Sequence, residues 1–427
     1  MNYQDLLIKS PIVKGKGLYL YTKNKKKYFD STGGITGTVT LGWDNKQIHN
    51  SIKKQLDNIA HIDFKSLKDT NRDRLKKILL SKNNHKLDEI YYAGNSGAEA
   101  NEGAMKLSYQ YHQANGKKNK KWFISRYQSF HGSSSETVSI GDKANLKFFR
   151  VFFPKYRAKV KEHNVYRHKR SNESDKDYTN RSIKEIELKI RQIGPDNICG
   201  FIAETMMGGL VGDVPPSENY WKKIRLLCDK YNILLIFDEV GTGFRVALGG
   251  AQEIYGVEPD LSTYAKSMAA GFPIAMLAGK PEIMDFMANG KVVHGGSFNS
   301  NVMSVSATHA TLKHLLTDKN FYKNLNQNGE KLIEGLKSVA LKNNVQILIQ
   351  GLGSVFYLSF TSADSIKNYR DHANNVNFEK YKEFAKLMLI NGVRLSQNGR
   401  WHMSSAHSDE DIKKTIYAAD KSFSELT

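Results

Sequence analysis

The sequence predicts an α/β fold, a parallel-type sheet layered between helices and followed by a smaller α+β domain. Three observations predict it. Strand and helix signals alternate from about residue 89 to residue 237, the pattern of helices laid on both faces of a sheet. Residues 233–237 (ILLIF) are apolar at every position, as strands buried on both faces of a parallel sheet are. After about residue 300 long helical patterns take over and short strands follow.

Taken in order, residues 17–30 (GLYLYTKNKKKYFD) read as a hairpin, two β-prone runs around a polar turn. Residues 46–60 and 70–81 carry apolar positions at helical spacing, among them Leu75, Ile78 and Leu79. A strand is expected at 89–92, a helix at 99–110 and a strand at 121–125. Further strands are expected at 198–203 and 233–237, with a helix over 218–231 between them. Residues 155–185 are charged, follow Pro154 and show almost no apolar periodicity before Ile183. They read as a long surface excursion. Helices are expected over 303–316 and 320–343, and strands over 345–349 and 354–358. The expected domains are an N-terminal segment, 1–50, that joins the small domain, a large domain, 51–300, and the small domain, 301–427.

Composition narrows the class. The 427 residues are 40% hydrophobic and 11% aromatic, which excludes disorder as the main state. The formal net charge is +20, yet Lys and Arg are spread along the chain and form no single basic stripe. That argues against a nucleic-acid partner and fits attraction of small anions. Two cysteines, Cys199 and Cys228, make no disulfide framework, so a reducing cytoplasmic setting is expected. No apolar run approaches the ~20 residues of a membrane span, and the start, MNYQDLLIKSP, lacks the apolar core of a signal peptide. No membrane partner is expected.

Three segments carry candidate chemistry. Tyr92-Ala-Gly-Asn-Ser-Gly-Ala-Glu-Ala-Asn101 follows a strand and opens a helix. Its glycines permit close backbone approach, and free N–H groups at a helix start suit a phosphate. It also reads as an ordinary strand–helix turn capped by Ser96 or Asn95. Asp238 and Glu239 end the apolar strand, where ligands bind in parallel sheets. A carboxylate there needs a cationic or hydrogen-bonding partner. It also reads as a cap of the next turn. Lys266 ends a further apolar segment before Ser-Met-Ala-Ala-Gly. A desolvated lysine can lose its proton and act as a nucleophile, although a lone lysine is most often a solvated surface residue.

Phosphate loop, strand-end Asp and lysine, in this order, resemble the cofactor constellation of pyridoxal-phosphate enzymes. The chain resembles the class III aminotransferases, the group that includes glutamate-1-semialdehyde aminomutase. The resemblance runs from Gly17-Leu-Tyr-Leu-Tyr21 through Phe130-His-Gly132 and Phe201-Ile-Ala-Glu204. It continues through Asp238-Glu-Val-Gly-Thr-Gly-Phe-Arg245 to Lys266, His294-Gly-Gly-Ser-Phe298 and Ala406-His407. It implies the aspartate aminotransferase-like fold, fold type I, with a mostly parallel seven-stranded sheet, and pyridoxal 5′-phosphate as cofactor. Lys266 would be the Schiff-base lysine that shuttles the proton, and Asp238 would pair with the pyridinium nitrogen. Ser96, Gly97 and Ala98 would cradle the phosphate. Phe130, where many relatives have tyrosine, and Val240 would cover the two ring faces. Glu204 would help position the cofactor or substrate, or else pair with a strand-end arginine, and His131 would sit behind the cofactor. Arg245 reads as structural. Ser297 replaces a threonine that reaches the phosphate from the neighbouring subunit, which implies a homodimer with shared sites. Arg400 is a candidate for a substrate carboxylate; no metal is implied. The activity expected is transfer of an amino group from an amine or a β- or ω-amino acid to a keto acid or aldehyde. Intramolecular transfer of the aminomutase type is the alternative, because residues 243–252 and 404–407 look like that branch.

Overall fold

The computed structural model describes residues 8–34, 36–62, 89–142, 148–149, 155–206, 214–365, 374–396 and 398–426. Two compact units are formed. Residues 1–50, 211–214 and 314–427 make the smaller, and residues 51–210 and 215–313 the larger.

The chain opens with β1 (Ile12–Lys16), β2 (Tyr19–Thr22) and β3 (Lys27–Asp30), paired antiparallel in sequence. The hairpin expected over 17–30 is β2 and β3, turning at Lys25 with φ +65°. Helix α1 (Lys46–Asn58) follows. The helix expected over 70–81 lies outside the described residues.

The larger unit then alternates strand and helix. Its elements are β4 (Glu89–Gly94), α2 (Gly97–Ala114), β5 (Trp122–Arg126), α3 (Ser135–Ile140), β6 (Arg157–Val160), α4 (Val165–His168), α5 (Asp175–Ile193) and β7 (Ile198–Glu204). After them come α6 (Tyr220–Lys230), β8 (Leu234–Asp238), α7 (Ala251–Tyr255), β9 (Leu261–Tyr264), β10 (Ala275–Gly279) and α8 (Pro281–Ala288). Seven strands form one sheet in the order β4-β10-β9-β8-β7-β5-β6, parallel from β6 to β9, with β10 antiparallel to both neighbours. The apolar strand divides its residues between two layers. Leu234 and Ile236 join Ala100, Ala104 and Leu107 of α2 on one face. Leu235 and Phe237 join Ile186 and Ile190 of α5 and Trp221 and Ile224 of α6 on the other. Alternation along a strand makes that split, and it puts Asp238, next in the first series, on the α2 face.

The surface excursion expected over 155–185 is overturned. Residues 157–160 are edge strand β6, paired parallel to β5, and residues 175–193 are the long helix α5. The buried face of α5 is Tyr178, Ser182, Ile186 and Ile190 at four-residue spacing, with Thr179 beside them. Its first half hides a tyrosine and hydroxyl residues, which apolar periodicity does not register. Ser174 caps it, its hydroxyl accepting from the Asp177 N–H at 3.1 Å.

Beyond α8 run α9 (Val302–Thr317) and α10 (Phe321–Lys342), close to their expected spans. They are followed by β11 (Ile347–Leu352), β12 (Val355–Phe360), α11 (Phe378–Ile390), β13 (Val393–Arg394), β14 (Arg400–His402) and α12 (Asp409–Ser424). Strands β11 and β12 begin one or two residues later than expected. They pair antiparallel with each other, β12 also pairs antiparallel with β14, and β13 joins β3. Among the described residues no helix is long and apolar enough to cross a membrane.

Candidate active site

The register of three parallel strands assembles the site. Glu204 of β7 lies opposite Asp238 of β8, and Asp238 lies opposite Thr263 of β9. The three form a row at the carboxyl ends of adjacent strands, the edge at which open α/β sheets bind ligands.

Asp238 is 5% exposed, and three N–H donors converge on it. Oδ2 accepts from His131 Nδ1 at 2.7 Å and from Asn101 Nδ2 at 2.8 Å, and Oδ1 accepts from the Val240 N–H at 3.0 Å. A carboxylate offers about four lone-pair sites, so one remains for a further donor. The His131 side chain is buried, and its Nε2 has no partner among the described residues. Asn101 also donates to the His131 carbonyl at 2.9 Å and accepts from Thr263 Oγ1 at 2.7 Å. Asn101 and Thr263 belong to the site although neither was assigned a role from the sequence. A signal was present for Asn101, a polar residue on the buried stripe of α2.

Lys266 follows β9, half-buried, with φ +45°. A side-chain-bearing residue held in the left-handed region costs about 1–3 kcal/mol and persists only where its surroundings enforce it. Part of that enforcement comes from Arg245, 1% exposed, whose Nε donates to Ser267 Oγ at 3.0 Å.

The loop between β4 and α2 is fixed by Glu99, whose Oε2 accepts from the Asn95 and Ser96 N–H groups at 2.7 and 3.0 Å. The next N–H groups, of Gly97 and Ala98, belong to the first turn of α2 and have no acceptor within the helix. Close packing surrounds that turn. A Cβ on Gly97 would stand 2.6 Å from both Val240 methyls, and one on Gly132 2.6 Å from Ala98 Cβ. Val240 and the loop bearing Phe130 and His131 are thus held against the start of α2. Phe130 is 39% exposed.

Glu204 accepts from the Phe130 N–H at 3.3 Å. Burial pushes its carboxyl pKa up, with Asp238 adding to the rise and His131 opposing it. Arg126, at the end of β5, donates to the Glu204 backbone carbonyl, and its charge also opposes the rise. Glu239 faces away from Asp238. Its carboxylate accepts from Thr242 Oγ1 and from the Ala251 and Gln252 N–H groups, and burial raises its pKa to about 7.

Ser297 is exposed, in a segment anchored by His294. His294 Nε2 lies 2.7 Å from the Ala93 carbonyl, and the Tyr91 hydroxyl donates to the His294 carbonyl at 2.6 Å. Arg400 belongs to the chain's other unit, in β14 opposite Tyr357. Among the described residues no cluster of His, Cys, Asp or Glu forms a metal site.

Residues 2–415 match the Aminotransferase class-III family. The chain belongs to the class III aminotransferases. It is an enzyme of fold type I that uses pyridoxal 5′-phosphate, as the family does. Glutamate-1-semialdehyde 2,1-aminomutase from Legionella pneumophila (strain Paris) is 32% identical over 419 residues, which cover 97% of this chain and 91% of the relative. Two ω-transaminase structures share the fold of this class III aminotransferase. The (S)-enantioselective enzyme from Thermomicrobium roseum superimposes with a TM-score of 0.85 at 23% identity, covering 100% of this chain and 95% of that one. The Pseudomonas jessenii enzyme in complex with PMP gives 0.85 at 22%, covering 98% and 93%.

Proposed function

We propose that this class III aminotransferase moves an amino group from an amine or a β- or ω-amino acid to a keto acid or aldehyde. The observation that carries the reading is the strand-end row of Glu204, Asp238 and Thr263, with Lys266 three residues beyond it in a left-handed backbone. The residues fit the cofactor. Asp238 keeps one lone-pair site for the ring nitrogen's proton, and the first turn of α2 offers N–H groups for a phosphate. Bound pyridoxal phosphate supplies the carbon that accepts the amino group and a ring that withdraws electrons.

The chain's residues do the rest. Lys266 holds the cofactor through Nζ and, once the donor's amino group displaces it, takes up and returns a proton there. Asp238 holds the proton on the ring nitrogen, and His131 orients Asp238. Ser96, Gly97 and Ala98 bind phosphate, and Phe130 and Val240 confine the ring. Glu204 helps to position the cofactor or the substrate, Ser297 serves a partner's site in a homodimer, and Arg400 binds a substrate carboxylate. A cytoplasmic location goes with the two free cysteines.

Aminomutase activity is the second reading, favoured by relatives of that name at 32% identity. The bound cofactor's visible absorption separates the two. The first reading expects the band to bleach with β- or ω-amino donors and to return with a keto acid. A response confined to glutamate semialdehyde or diaminovalerate selects the second. No band in the presence of pyridoxal phosphate, or cofactor still covalently fixed to Lys266→Ala after borohydride reduction, sinks both.

A further inference from the structure

We propose that Asn101 is a positioning residue for the Asp238 carboxylate, tying it to the strand that carries the lysine. The inference rests on the reading of Asp238 as partner of the cofactor's ring nitrogen and adds to it the group that sets the carboxylate's orientation. Asn101 is fully buried in α2. Its amide faces three groups. Nδ2 donates to Asp238 Oδ2 at 2.8 Å and to the His131 carbonyl at 2.9 Å, and Oδ1 accepts from Thr263 Oγ1 at 2.7 Å.

These partners admit only one amide orientation. Asp238 Oδ2 and the His131 carbonyl are acceptors, so the NH₂ group must face them. A flipped amide would set oxygen against two oxygens and leave the Thr263 hydroxyl facing NH₂. The orientation is therefore written into the fold.

The connection joins four segments. Asn101 comes from the helix whose first turn bears Gly97 and Ala98. Asp238 ends β8, His131 lies on the loop after β5, and Thr263 is both the ladder partner of Asp238 and three residues from Lys266. A shift of the Asp238 carboxylate is thus resisted from α2, and a shift of β9 is felt at the same amide. With His131 as the second donor on Oδ2, the carboxylate's rotation is fixed and its remaining lone-pair direction is set. The Val240 N–H holds Oδ1 at 3.0 Å, and Asn101 and His131 together fix where Oδ2 sits. A buried network in which every donor has its acceptor specifies geometry in this way.

The test compares reconstituted holoenzymes of Asn101→Ala, Thr263→Val and Asp238→Asn with the unaltered protein. Three quantities are read: the pyridoxal phosphate dissociation constant, the pH titration of the bound cofactor's visible band, and the rate of the amine half-reaction. Asn101→Ala should weaken cofactor binding roughly tenfold and slow the half-reaction roughly tenfold to a hundredfold, the scale of a misplaced reacting group. It should also move the pH midpoint of the band. Thr263→Val keeps the side chain's shape, so it reports the lost hydroxyl even if Asn101→Ala fails to fold, and it should move the same titration by less. A purely structural role would lower the thermal midpoint and leave the titration in place. An unmoved titration in Thr263→Val and in every folded Asn101 variant overturns the proposal. An Asp238→Asn protein with unaltered band and affinity would overturn the underlying reading of Asp238 as well.

Discussion

At the scale of single residues, space decides more than conformation. Gly97 has no need of a positive φ; it needs room, because a Cβ would meet both methyls of Val240 at 2.6 Å. Gly97→Ala should therefore cost about 1–3 kcal/mol, the range for an added carbon in a filled site, and weaken cofactor binding with it. Val240→Ala removes the methyls at 2.6 Å and leaves only the residue-240 Cβ, at 3.2 Å, so the double variant should unfold close to the denaturant midpoint of Val240→Ala alone. A double-mutant cycle reads this directly: strictly additive losses would mean that the two side chains do not compete. Asp238 stood out in the sequence because it closes an apolar strand, whereas Lys266 drew its role from its place in the family resemblance. Asn101 and Thr263 did not stand out, since their partners are distant in sequence and a buried amide looks the same on paper as an exposed one. Glu204 came from the family resemblance, and the Arg126 contact to its backbone carbonyl was not legible, because sequence pairs charges and says nothing of carbonyls.

At the scale of elements, an unbroken apolar run located β8, and apolar periodicity failed at α5. The failure has a polar cause. His163 is buried in front of α5, stacked between Tyr178 and Tyr220 with ring centroids at 4.6 and 4.0 Å, and its nitrogens meet Ser182 Oγ at 3.3 Å and Ser217 Oγ at 2.6 Å. The layer beneath α5 is therefore partly hydroxyl and imidazole. Its titration makes a prediction. Burial lowers the His163 pKa from the ordinary 6.5 to about 3, with the nearby Arg126 cation adding to the fall. Between those values the unfolded chain binds a proton that the folded chain refuses. Stability is then whole above pH 6.5 and falls as the pH drops towards 3, by up to about 1.4 kcal/mol per pH unit from this group. His112, lowered by burial to about 4, acts in the same direction. His163→Phe keeps a stacking ring and cannot titrate. Its thermal midpoint should be lower than that of the unaltered protein at neutral pH, where Ser182 and Ser217 lose a partner, and should fall less steeply on acidification. Equal slopes in the two proteins would exclude His163 as a source of acid sensitivity.

At the scale of the whole molecule, the division of the chain matters more than its +20 charge. Every residue proposed to touch the cofactor, from Ser96 to Ser297, lies in the unit formed by residues 51–210 and 215–313, whereas Arg400 lies in the other. The alternation of strand and helix made the larger unit legible. The smaller is harder to read because it is assembled from both ends of the chain: β3 pairs with β13 across more than three hundred residues, a contact that no local pattern encodes. This division has a thermodynamic consequence. A ligand that binds only the folded form stabilises what it binds, by ~2.7 kcal/mol at a hundred times its dissociation constant. For a unit of this size that amounts to roughly 5–10 °C in midpoint. Pyridoxal phosphate should therefore raise the melting of the larger unit and slow hydrogen exchange in α2, β7, β8 and β9, while exchange in α10 and α12 stays at its cofactor-free rate. Lys266→Ala should show a smaller shift, because it keeps the phosphate and ring contacts and loses the covalent hold. Peptide-resolved hydrogen exchange with and without cofactor measures both. Equal slowing in α10 and α12 would mean that the two units open together, and the cofactor's stabilisation would then belong to the chain as a whole.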